Sequence, residues 1–177
     1  MYKNVLFIFM FLGALFFLTG CSLSLLPWWG DDEEIEQTVD PNEEYADLVT
    51  DVFNDSNVLL QRFNKMLDQL YGQQISKQAV AQELEEIVPL SNQLLLKLDD
   101  VLYNVDDRLY DLHRELIVLI NFQHQTFLRC LEMSKDDEEE IDKDQLRQDY
   151  VKIKSDQTLL VQNIKQALQQ ILFPAEE

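Results

Sequence analysis

From Asn42 onward the chain sets apolar residues into a polar background with a helical beat. Tyr45, Val49, Val52, Ser56, Leu59, Phe63, Met66 and Leu70 follow one another at alternating steps of four and three, the spacing that lines one face of an α-helix. Gly72 marks the stop of this run, and Ser76 opens a second one containing Ala79, Val80, Leu84, Ile87 and Val88. Pro89 removes a backbone donor and clashes with the preceding turn, so it is expected to kink or restart that helix. Beyond it come Leu94, Leu95, Leu98, Val101, Leu102 and Val105, then Leu109, Leu112, Leu116, Leu119 and Ile120, and finally Phe127, Leu128 and Leu131. Neither glycine nor proline interrupts them. The polar stretch from Ser134 to Glu140 predicts a loop. A last helix carries Leu146, Tyr150, Ile153, Gln157, Leu160, Ile164, Ala167 and Ile171, again at fours and threes, and Pro174 ends it.

This pattern predicts an all-α protein, an antiparallel bundle of long helices. The number of helices depends on whether the chain turns near Asn104-Val105-Asp106-Asp107. A turn there, with Asn104 closing one helix and Asp106 capping the next, gives four helices of similar length in up-down-up-down order. Without it, residues 90–133 form one helix of about 66 Å at 1.5 Å per residue, and the molecule is a three-helix elongated rod. The wide apolar face of Leu116, Ile117, Leu119, Ile120 and Phe122 favours four helices, because a helix pair cannot cover so broad a stripe. Ser56 and Gln157 break otherwise apolar seams. In an up-down bundle the first and last helices are neighbours, so these two are expected to pair and help set the register.

The N-terminus follows another rule. Lys3, an unbroken apolar run from Val5 to Leu18, and small residues at its end have the layout of a secretory signal. The run is shorter than the roughly 20 apolar residues that span a hydrocarbon core. Its closing residues, Leu18-Thr19-Gly20-Cys21, resemble the lipobox of bacterial lipoproteins. The resemblance covers residues 18–21 only and implies cleavage between Gly20 and Cys21, with a diacylglyceryl group, palmitate or a similar chain, on Cys21. Uncleaved, Val5 to Trp29 would instead be one membrane helix ending in an aromatic belt. On either alternative Trp28 and Trp29 are expected at headgroup depth, since an indole has an apolar body and a polar edge. The expected organisation is a signal peptide over 1–20, a lipidated N-terminus and acidic tether over 21–41, and a helical domain over 42–174. Pro27, Gly30, the run Asp31-Asp32-Glu33-Glu34 and Asp40-Pro41 discourage regular structure in the tether. As the resemblance implies, the lipid anchors the protein on the extracytoplasmic face of the cell membrane. In a two-membrane cell, Ser22 after the lipidated cysteine would allow an outer-membrane position facing the periplasm.

Charge narrows the partners. The chain has a formal net charge of −19, and loss of Lys3 with the leader makes the mature protein one unit more negative. Nucleic acid is not an expected partner, because its binding needs clustered Lys and Arg. With Cys21 lipidated, Cys130 is left alone among Phe127, Leu128 and Leu131, and it reads as a small buried hydrophobe. His113 and His124 are eleven residues apart, about 16 Å along one helix, too far to share an ion, and they read as residues at the core boundary. No Glu-x-x-His pair, nucleophile elbow or phosphate-cradling glycine loop is present, and the acidic loop Asp136 to Glu140 lacks the ligand alternation of a calcium site. The expectation is therefore a protein that is not an enzyme and has no metal or cofactor, a helical interaction module acting on an envelope protein or on itself. The alternative is a ligand-binding lipoprotein holding a small apolar or wall-derived molecule in the bundle core near Tyr110, His113 and His124. Glutamine-rich exteriors, Gln73, Gln74, Gln78 and Gln82 on one helix end and Gln162, Gln166, Gln169 and Gln170 on another, offer hydrogen bonding without charge.

Overall fold

Asp40-Pro41, expected to break structure, begins the first helix instead. In the computed structural model, which describes residues 40–138 and 140–173, the Asp40 carboxylate accepts the Asn42 amide at 2.8 Å and Pro41 takes the first helical position. Proline is favoured there because its fixed φ suits the helix and its missing N–H would have had no partner. Four long helices follow: α1, Pro41–Tyr71; α2, Lys77–Val101; α3, Tyr110–Lys135; and α4, Lys143–Leu172. Ser76 Oγ caps α2 by accepting Ala79 N, and the Asp142 carboxylate caps α4 by accepting Gln145 N.

The stop after α1 has an unexpected form. Gly72 keeps an ordinary φ of −76°, and Gln73 adopts the left-handed φ of 54°. Gln74 N donates to Gln69 O and Gln73 N to Leu70 O, the paired bonds of a Schellman closure with glutamine where glycine is usual. Pro89 neither ends nor restarts α2, which runs unbroken through it. Pro89 and Glu85, the residue whose carbonyl loses its helical partner, both lie on the exposed side, where water can serve that carbonyl.

The chain does turn between α2 and α3, so the rod is excluded and the four-helix alternative holds. The details differ from expectation. α2 closes at Val101, ahead of Asn104, and Asp106 heads a separate turn by accepting Arg108 N and the Arg108 guanidinium fork. Those bonds hold the Asp106 carboxyl down at about 2. Leu109, fully buried, leads into α3 with no side-chain cap.

Each helix packs against its sequence neighbours, α4 closes back on α1, and α2 and α3 lie closest. Side chains of α1 and α3 meet across the centre. The rings of Phe63 and Phe127 lie 5.0 Å apart at a 51° tilt, and both residues are fully buried, an arrangement that aromatic pairs favour. The first seam is buried from Tyr45 to Met66 as its spacing predicts, with Leu70 half-buried at the end. Phe53, Leu60 and Leu67 add a second stripe, one residue past every other seam position. In α4 the buried residues include Asp149 and Leu168, whereas the predicted Tyr150 and Ala167 are half-buried.

Candidate functional site

Polar residues at seam positions of α1, α3 and α4 form a belt inside the bundle. Ser56 of α1 donates to Gln123 Oε1 of α3 at 2.6 Å, and Gln157 Nε2 of α4 donates to the same Ser56 oxygen at 3.3 Å. The expected Ser56–Gln157 pair is therefore present, with Gln123 as a third member. Lys154 Nζ joins Gln157 Oε1 to Asn57 Oδ1 at the edge. Among the described residues Gln123 Nε2 has no acceptor, a loss of about 1–3 kcal/mol for a buried donor. The belt thus favours a particular alignment of helices more than it favours folding as such.

The histidines lie deeper than a core boundary. His113 is fully buried and His124 nearly so. His113 Nε2 lies 3.0 Å from Leu98 O and its Nδ1 lies 3.1 Å from the Tyr45 hydroxyl. A carbonyl can only accept, so Nε2 carries the proton and Nδ1 accepts from Tyr45. Leu98 lies in the last turn of α2, where carbonyls lack helical partners, so His113 closes the end of its neighbour. His124 Nδ1 sits 2.6 Å from Ser91 Oγ, which gives its own hydrogen to Val88 O at 3.0 Å; His124 is therefore the donor in that pair. Burial lowers the pKa of both imidazoles, opposed at His113 by the Leu98 carbonyl and Asp99. Burial also pushes the Tyr45 phenol up, which keeps it a donor. Tyr110 is not brought to these two: it lies 40% exposed with Arg114 over its ring.

Among the described residues Asp149 is the one buried carboxylate. It pairs with Arg129 of α3 and accepts Gln145 Nε2 at 2.9 Å. Cys130 is fully buried and its thiol is pushed up to about 12, chiefly by burial, so at neutral pH it is a thiol and a poor nucleophile. Among the described residues no three His, Cys, Asp or Glu side chains are grouped to hold a metal. No described helix is long and apolar enough to cross a membrane. Gly20, Cys21, Trp28 and Trp29 lie outside the described residues, as do Asp31 to Glu36 and Pro174.

The outer surface offers a different feature. Between α3 and α4 runs a cleft of about 780 Å³, larger than the clefts of about 440 Å³ between α1 and α4 and about 180 Å³ between α1 and α2. Leu119 and Leu160 form its floor at 6% and 5% exposure, and Val118 and Leu159 stand on its walls at 68% and 61%. The Lys152 ammonium closes one end, bonded to Asp156 and placed 5.6 Å over the Phe122 ring. Gln73, Gln74, Gln78 and Gln82, and Gln162, Gln166, Gln169 and Gln170, are all exposed. No family model, curated protein or solved structure matches this chain.

The seam spacing did not point to this cleft, because its walls flank the seams of α3 and α4 and only its floor residue Leu160 belongs to one. Gln123 and His113 were legible in principle. Leu109, His113, Leu116, Ile120, Gln123, Phe127 and Cys130 are separated by fours and threes, which places both polar residues in the seam.

Proposed function

We propose that this protein is a membrane-anchored lipoprotein of the bacterial cell envelope that works as a helical interaction module. Cys21 carries the lipid, the acidic segment that follows spaces the bundle from the bilayer, and the bundle binds an envelope protein. The observation that carries this is Leu18-Thr19-Gly20-Cys21 closing the apolar run Val5 to Leu18. Two acyl chains anchor stably where one is marginal, at about 0.8 kcal/mol per buried methylene. The bundle supports the second half of the proposal: large apolar side chains and hydrogen-bonded polar groups occupy its interior, and a broad cleft lies on its outer surface. A formal net charge of −19 over the whole chain disfavours contact with anionic headgroups and nucleic acid.

Metabolic labelling with an alkynyl palmitate analogue tests the anchor. Wild-type protein is expected to take up label at Cys21 and to partition into the detergent phase, and Cys21→Ala to do neither. A mature chain that remains unlabelled and freely soluble with Cys21 intact would overturn the proposal.

A further inference from the structure

A four-helix core needs one apolar stripe per helix, and α3 has spent one on it: Leu116, Ile120 and Phe127 are fully buried. Yet α3 carries a second, mixed stripe along the cleft, the exposed Asp111, Glu115 and Val118 and the half-buried Phe122, at steps of four, three and four. α4 does the same with Lys152, Asp156, Leu159 and Asn163. The two stripes form the walls of the α3–α4 cleft, and the α3 stripe runs about 16 Å, three helical turns. Heptad spacing on both walls of a groove between antiparallel helices matches the outline of one further helix.

The charges select which helix. Lys152 is neutralised by Asp156, and Arg114 lies over Tyr110, 6.0 Å from the ring centroid. Asp111 and Glu115 form no ion pair among the described residues. Arg114 lines the same end, so the charged side chains of the cleft, Asp111, Glu115 and Asp156 against Arg114 and Lys152, leave one net negative charge, at the end nearest the start of α3. A second copy brings another −19 towards the first, and that repulsion disfavours self-association through this face.

We infer that the α3–α4 cleft receives an amphipathic helix of another protein, whose aliphatic edge lies on Val118, Phe122 and Leu159 and whose Lys or Arg side chains reach Asp111 and Glu115. This deepens the interaction-module proposal and rests on its contact half, not on the lipid. Anchors at i, i+3 or i+4 and i+7 from the incoming helix fill the apolar length of the cleft.

The probe is a synthetic amphipathic peptide with leucines at heptad a and d positions flanked by lysines, beside its glutamate-flanked twin. Each is titrated against the full chain in detergent micelles by fluorescence anisotropy, with amide NMR shifts to locate it. The lysine peptide is expected to perturb the outer residues of α3 and α4 and to bind at least about tenfold more tightly than its twin. The pair Val118→Ser with Leu159→Ser leaves net charge and thermal midpoint unchanged and is expected to weaken binding by about tenfold or more. Glu115→Gln weakens it several-fold, and Leu96→Ser, an exposed apolar site on α2, has no effect. No binding, equal binding by the Val118/Leu159 variant, shifts on another face, or a dimer through this cleft would each overturn the inference. Lipidation with no docking removes this inference alone; docking with no lipidation removes only the anchor.

Discussion

Phe127→Ala is expected to lower the unfolding free energy by about 3–5 kcal/mol, the range for deleting a buried aromatic side chain. Phe127 of α3 is fully buried against Phe63 of α1, and these helices are diagonal partners, so the cavity opens at the centre where no helix can shift inward alone. The removed ring loses its transfer free energy, and Phe63 loses the face it packs on. For a domain of this size the thermal midpoint should fall by roughly 10–20 °C. Urea unfolding followed by far-UV circular dichroism checks it, with Val118→Ala, on the exposed face, expected within about 0.5 kcal/mol of wild type. A Phe127→Ala loss below about 1 kcal/mol would mean that the diagonal contact does not hold the core.

The second large effect is a loss of stability between neutral and mildly acidic pH. Burial depresses the folded-state pKa of His113 and His124 below the unfolded value. The unfolded chain therefore binds more protons in that window, and stability falls as pH drops through the ordinary histidine value of about 6.5 towards the folded pKa. The groups facing His113 are the Tyr45 hydroxyl from α1 and the Leu98 carbonyl and Asp99 from α2. A second proton on Nδ1 meets a hydroxyl that had been donating to it, so the Tyr45 hydrogen is displaced. Each histidine can contribute at most about 1.4 kcal/mol per pH unit. Asp106, held at about 2, titrates far below this window and does not confuse it. Urea unfolding at pH 7.5 and pH 5 is expected to show a smaller acid loss for His113→Gln with His124→Gln than for wild type, although the variant is less stable at pH 7.5. Equal acid losses would show that the two imidazoles titrate alike in the folded and the unfolded chain and carry none of the acid sensitivity.

The fours and threes were enough to find the first and last helices and most of the core, because one buried face per helix is what such spacing encodes, but they run on through Val105 and did not show the break between α2 and α3. They understated how wide that face is. Phe53, Leu60 and Leu67 repeat every seven residues beside the α1 seam and are buried as well, and α1 packs against both α2 and α4, a surrounding that no single-helix pattern shows. The Ser56–Gln157 pair was legible because both interrupt apolar seams on helices that an up-down order makes adjacent. Asp40-Pro41 and Pro89 misled for one reason: proline was read as a breaker, whereas at a first helical position or on an exposed face its missing donor goes unneeded. Asp149 was hidden because its burial depends on Arg129, twenty residues away on another helix. The α3–α4 cleft was hidden because charged residues fill half of its heptad positions, so it reads as ordinary solvated surface.

One measurement reaches the membrane-anchored interaction module most directly: photo-crosslinking in living cells from position 159 in the cleft, with Cys21 intact, beside Cys21→Ala and beside a crosslinker at the exposed position 82. The predicted result is a discrete adduct with a membrane protein, formed from position 159 and not from position 82, and lost in Cys21→Ala. No adduct, an adduct with the protein's own copies alone, or one that persists without Cys21 would contradict it.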